Sequence, residues 1–246
     1  MKFVKALIFS MCVFGTAYGA DIDNIVERID TLFRSDYSEA TVSMMITTPH
    51  WKRTLEMDVW SRGMDDTFIT ITSPKKDRGI TTLRKGNEMW NYFPKIDKVI
   101  KVPPSMMMGS WMGSDFTNDD LVRESSLLDD YDASFVEDAA LADSLIMISL
   151  VPREGTVSLW GEIRLLVRRE DSMPLEQVYY DEHGAKIRVL TLSDIKELGG
   201  KRIPTVLTMI SLIKDNNTTV IRYHDATFGE KVPDDTFTLR NLRKKQ

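Results

Sequence analysis

From Ser38 onward the chain repeats one unit: a short stretch of alternating apolar and polar residues, then a tight polar turn. In residues 54–60, Leu55, Met57 and Val59 alternate with Glu56 and Asp58. The same period of two, biased toward β-branched and aromatic residues, runs through 66–72, 163–169, 176–181, 185–194 and 218–226. Successive side chains of a strand point to opposite faces, so each stretch is a half-buried strand. The separators "RKGNE", "PREGT", "DEHGA", "ELGGK" and "KDNNT" carry the Gly, Asn and Asp of hairpin turns. No helices alternate with the strands, which argues against a parallel sheet. The pattern predicts a mainly β, α+β protein: a curved antiparallel meander with a few helices over its concave side.

Two runs depart from the alternation. Residues 144–151 ("SLIMISLV") and 205–213 ("TVLTMISLI") are apolar on both faces, which predicts strands covered on both sides. Helical spacing occurs near the start, where Ile22, Ile25, Val26, Ile29, Leu32 and Phe33 recur at steps of three and four. A second helix is expected over 118–130, with Asn118 as its N-cap and Asp119 and Asp120 in the first turn.

The first twenty residues have the form of a secretory signal. Lys2 and Lys5 precede an apolar run, and Ala17 and Gly19 supply the small residues before a cleavage point after Ala20. Cys12, the only cysteine, lies within that run, so neither lipidation of the mature chain nor a disulfide is expected. Export without disulfides suits a bacterial periplasm. Residues 21–246 are then expected to form one domain. The formal charge of −5 becomes −7 once Lys2 and Lys5 are removed. Such a chain is ill suited to nucleic acid, whose phosphates need a clustered basic face. The basic tail (Arg240, Arg243, Lys244, Lys245) is either a solvated end or a contact for anionic headgroups or a partner.

Catalytic constellations are thin. His50, His183 and His224 do not stand at metal-ligand spacing, and "GSWMG" shares only its glycines with a nucleophile elbow. Asp115, Asp119 and Asp120 lack the glycine and terminal glutamate of a calcium loop. The expectation is a protein without enzymatic activity, metal or cofactor.

The stretch "KVPPSMMMGSWMGSDFTNDDL" (101–121) carries the functional signal. Met106, Met107, Met108, Trp111, Met112 and Phe116 sit among glycines and serines, too few for a membrane span and too irregular for an amphipathic helix. Flexible thioethers suit surfaces that must fit variable apolar shapes. The segment is therefore a mobile lid loosened by Gly109 and Gly113, or a fixed plug of the domain's own core. A strongly curved sheet of ten or so strands encloses more space than its side chains fill, so a cavity for lipid is expected beneath it. Leu55, Met57, Val59, Ile69 and Ile71 are assigned to its lining.

With Trp90, Tyr92 and Pro94 (W-x-Y-x-P) and Met112 to Phe116 (M-G-S-D-F), residues 83–121 resemble a branch of the LolA-like superfamily, the outer-membrane lipoprotein-sorting proteins. The likeness is strongest from about Pro74 to Leu121, and the closing "VPDDTFTL" (232–239) agrees in order. The resemblance implies an unclosed antiparallel β-barrel of about eleven strands, capped by helices around a hydrophobic interior. It places Trp90 and Tyr92 with the methionine segment as lipid-binding or lid residues. It also implies a periplasmic carrier that passes a lipid or lipoprotein acyl chain from an inner-membrane transporter to an outer-membrane acceptor, with transient membrane contact. A regulatory sensor that binds lipid or lipoprotein and signals to a membrane partner is the alternative. The lipoprotein shuttle's gating arginine has no position here that matches by motif.

Overall fold

The computed structural model describes residues 16–122, 127–156, 158–214 and 217–244. The expected signal sequence lies largely outside them. Helix α1 (Thr16–Asp30) leads into β1 (Tyr37–Thr47), β2 (Lys52–Arg62), β3 (Asp66–Ser73), β4 (Thr81–Lys85), β5 (Glu88–Phe93) and β6 (Lys98–Lys101). Two short helices, α2 (Asn118–Val122) and α3 (Leu127–Asp130), follow. Then come β7 (Tyr131–Val136), β8 (Leu145–Pro152), β9 (Glu162–Arg168), β10 (Met173–Tyr180), β11 (Lys186–Leu198), β12 (Lys201–Ser211) and β13 (Thr218–Phe228).

The thirteen strands form one antiparallel, unclosed sheet in the order β6-β5-β4-β3-β2-β1-β13-β12-β11-β10-β9-β8-β7. Every neighbour but one is a hairpin partner. The exception is β1 against β13, paired from Ser38↔Phe228 to Thr47↔Thr218 with a bulge at Thr41/Val42. That ladder places the first and last strands in the middle of the sheet and throws β6 and β7 to opposite edges. The strand count exceeds the eleven expected. The four-residue β6 is too short to show a period, and β7 follows helical residues without an intervening turn signal.

Alternation separates two cores. On the inner face, Val42, Met44, Ile46, Leu55, Met57, Ile69 and Ile71 pack with Ile22, Ile25, Val26 and Ile29 of α1. The helix ends at Asp30, before Leu32 and Phe33, and Phe33 stacks on Tyr223 of β13 at 5.2 Å. On the outer face, Phe68, Leu83 and Tyr92 pack beneath Val232, Phe237 and Leu242 of the C-terminal segment. Arg62 lies 5.1 Å over the Phe237 ring, and the Thr81 hydroxyl donates to the Leu242 carbonyl at 3.0 Å. The described part of the tail is thus folded back on the sheet. No sequence period signalled this, because the 3-10 turns at Asp234–Phe237 and Asn241–Arg243 are too short to repeat.

The two doubly apolar runs are covered less completely than expected. Val151 of β8 is exposed, as are Ile210, Leu212 and Ile213 at the end of β12. The C-terminal segment covers the outer face only beside β3 to β5, so these positions have no layer above them.

If the C-terminal segment is part of the fold, Phe237→Ala should cost about 3–5 kcal/mol, the range for emptying a buried aromatic site. Urea unfolding measures this, and a change below about 0.5 kcal/mol would mark the segment as a passive tail.

Candidate functional site

Because β6 and β7 lie at opposite edges, the connection between them must cross the molecule, and its described residues (102–122 and 127–130) do so as a strap with one fastening after another. Val102 N–H donates to the Met89 carbonyl of β5 at 2.8 Å. The Trp111 indole N–H donates to Thr82 of β4 at 3.2 Å, and the Arg53 guanidinium of β2 donates to the Met112 carbonyl. Asp115 meets β13: its N–H donates to the Thr219 hydroxyl at 2.9 Å, and that hydroxyl donates to the Asp115 carboxylate at 2.8 Å. Asp120 then meets β11, and the Leu127 N–H donates to Asp30 of α1.

The M-G-S-D-F residues make the middle of this crossing. Met112 and Gly113 both have left-handed backbones (φ 51° and 79°), which turn the chain between the Arg53 and Thr219 fastenings. The conformation suits glycine at 113 and is rare for methionine at 112. The Ser114 hydroxyl donates to the Trp111 carbonyl at 2.7 Å, and the Trp111 N–H reaches the Phe116 carbonyl at 2.8 Å, so the motif is also closed on itself. The next helix is capped by Thr117, not Asn118. Asp120 N–H donates to the Thr117 hydroxyl, and Thr117 N–H donates back to the Asp120 carboxylate at 2.7 Å, a reciprocal capping box. Asn118 instead donates its amide to the Met106 and Gly109 carbonyls, at 3.0 and 3.2 Å, and holds the methionine turn.

Arg188 is the strongest fastening. Its guanidinium grips Asp120 through two hydrogen bonds of 2.7 and 2.6 Å and stacks between Trp160 (4.4 Å) and Tyr179 (4.2 Å). The Arg188 side chain is only 5% exposed and its Nε has no hydrogen-bond partner among the described residues. Burial by itself would raise the Asp120 carboxyl, yet the two bonds and charge of Arg188, with those of Thr117, hold it below the usual carboxylate range.

The strap has two sides. Trp111 and Phe116 are buried, and Met107 and Met112 pack against the same inner core as Leu55, Met57, Val59, Ile69 and Ile71. Met106 and Met108 face outward. Trp90 and Tyr92 lie apart from both: they belong to the outer-face core, because β5 alternates and it is Met89 that points inward. Beside the strap lies a cavity of about 330 Å³ lined chiefly by Met108, Leu159, Trp160, Ile187, Arg188 and Ile213. The histidines stand on separate elements, and among the described residues no three His, Cys, Asp or Glu groups converge to hold a metal. Arg188 went unnoticed in the sequence, although its phase with Leu190 and Leu192 marks a cation on an apolar strand face.

A family model described as "Uncharacterized protein" matches residues 63–244. The fold is similar to a DUF1329 family protein from Desulfovibrio piger (21% identity, TM-score 0.80, 92% of this chain and 98% of that one). It is similar also to an outer membrane lipoprotein-sorting protein domain from Vibrio parahaemolyticus (19%, TM-score 0.77, 91% and 97%). A LolA superfamily protein from Nitrosomonas europaea matches at 21% identity and a TM-score of 0.74, over 89% and 98%. At these identities the likeness establishes the fold. No functionally curated protein matches the chain.

Removing one member of a buried ion pair leaves the other uncompensated, so Asp120→Ala should cost about 3 kcal/mol in urea unfolding, whereas Asp120→Leu with Arg188→Met should cost far less. The Asp120 carboxyl is depressed in the fold, so its contribution is complete above the unfolded value, about 3.9, and is lost as pH falls below it. Hydrogen-exchange protection of 103–120, corrected for the intrinsic exchange rate at each pH, should therefore fall below about pH 4 in the parent protein and be less pH-sensitive in the double variant.

Proposed function

We propose a function from one premise: the chain belongs to the family matched over residues 63–244, on a fold shared with a LolA superfamily protein. It is a periplasmic carrier that holds a lipid or lipoprotein acyl chain against the inner face of the sheet. Strap 103–116 is the gate. It receives cargo from an inner-membrane transporter and delivers it toward an outer-membrane acceptor, with no catalytic step of its own.

The observation that carries this reading is the construction of the strap. Its underside is an apolar plug of Met107, Trp111, Met112 and Phe116, yet it is fastened by discrete polar contacts at Arg53 and Thr219, with Arg188 gripping Asp120 just beyond it. Magnitudes support an exchange of plug for cargo. Lifting four such side chains costs roughly 6–12 kcal/mol at about 1.5–3 each, and undoing the buried ion pair about 3 more. Burying a sixteen-carbon chain returns about 12 kcal/mol at about 0.8 per methylene. The two sides nearly balance, which permits loading and unloading without an energy source at the carrier itself. The gross value of the bound chain also makes release into water very slow, so delivery requires an apolar acceptor.

Cys12 is the only cysteine and lies in the expected leader, which makes a crosslinking test clean. Asp115→Cys with Thr219→Cys ties the strap to β13, where the two side chains now touch. Oxidised protein should fail to take up a fluorescent fatty acyl probe, and reductant should restore uptake. Equal uptake in the locked and open forms would overturn the gate. Replacing Met106, Met107 and Met108 with serine should shorten retention of the probe more than it lowers the melting temperature.

A further inference from the structure

Antiparallel order puts the turns 48–51, 74–80 and 94–97, and residues 212–214 and 217 between β12 and β13, at one end of the sheet, each two strands from the next. Side chains link them into one rim. Arg53 lies 3.9 Å from Asp77 across the first two turns, and a Cβ on Gly79 would meet Pro94 at 3.5 Å across the next pair. The strap joins the line, since a Cβ on Gly113 would stand 3.8 Å from the Trp51 ring and Lys214 Nζ lies 3.4 Å from the Ser110 hydroxyl. Most of the exposed large apolar side chains among the described residues gather at this end. They include Trp51 (43% exposed), Ile96 (58%), Met106, Met108, Leu212 and Ile213 (66%).

The turns after β8 and β10, at the same end, carry Glu154, Asp181 and Glu182, but along these four the charge opposes that of the chain. Lys52, Lys75, Lys76, Arg78, Lys95 and Lys214 are exposed there, in a protein of formal charge −5. Of the described carboxylates of these turns, Asp77 is buried beside Arg53 and Asp97, which accepts the Tyr92 hydroxyl at 3.0 Å, stays exposed against six exposed cations. From this juxtaposition we infer that the strap end of the molecule is a docking face for an anionic phospholipid bilayer. The apolar tips enter the interface and the lysines reach the headgroups.

Two physical features select a bilayer over a protein surface. The apolar residues stand apart, on three hairpin tips (Trp51, Ile96, and Leu212 with Ile213) and on the strap (Met106 and Met108), and neighbouring tips at this end are about 10 Å apart by the spacing of two strands. A rigid partner would need a matching hole for each, whereas a fluid interface accommodates all of them. Tryptophan and aliphatic tips encircled by lysine are the composition that partitions to the headgroup boundary and is drawn to anionic lipid. The inference stands without the carrier reading, since it concerns the outside of the strap and needs no cargo in the core.

The test is flotation of delipidated full-length mature protein with vesicles of phosphatidylcholine alone or with 30% (roughly) phosphatidylglycerol. Binding should be at least about tenfold greater to the anionic vesicles and should weaken as salt shortens the Debye length. Lys75→Glu with Lys76→Glu should abolish the preference, and Trp51→Ala with Ile213→Ser should reduce binding, each without a change in melting. Lys231→Glu, on an exposed residue after β13 at the other end, should bind as the parent does. Absence of binding to anionic vesicles, or equal loss in the Lys231 control, would overturn the docking face. Neither result touches the crosslinking test of the gate, which uses a soluble probe.

Discussion

The pairing of β1 with β13 is the constraint on which the rest of the structure depends. A simple hairpin meander of thirteen strands would leave its first and last strands at the two edges. Here the ten-residue ladder from Ser38↔Phe228 to Thr47↔Thr218 puts them at the centre. The edges are then β6 and β7, which are neighbours in the chain and most distant in the sheet. Their connection has to cross the inner face. The methionine segment covers the core for a topological reason, and its composition follows from what it covers.

The crossing separates two kinds of energy. Trp111, Phe116, Met107 and Met112 supply burial, which is non-directional and would tolerate many positions of the strap. Thr82, Arg53, Thr219 and Arg188 supply direction, because each hydrogen bond or ion pair is satisfied in one register. A left-handed Met112 is tolerated where fastenings on either side over-determine the backbone. A segment ordered this way holds one position.

Much of this was legible in the residues, and the failures have physical causes. Alternation in 54–60 and 66–72 groups Leu55, Met57, Val59, Ile69 and Ile71 on one face, and in the fold that face packs into the inner core. The same rule, applied to W-x-Y-x-P, had only to be phased against Met89 to place Trp90 and Tyr92 on the other. Grouping them with the methionines by motif concealed that. Asn118 is an acceptable N-cap by residue type, and Thr117 took the role because Asn118 was needed by the Met106 and Gly109 carbonyls. Residues 205–213 are apolar on both faces, yet the end of β12 reaches a rim that no layer covers.

By itself the sequence determined the local terms: which residues form strands, where the chain turns, which face of each strand is apolar, and that 103–116 is anomalous. These depend on neighbours within a few positions, through side-chain alternation and backbone preference. Only the tertiary structure decided that β1 meets β13, that Arg188 closes on Asp120 across 68 residues, that the C-terminal segment roofs a second core, and that lysines from four turns share one rim. Those are pairings between distant segments. Any two strands of similar alternation could have paired, and the choice among them rests on the summed packing of the whole sheet.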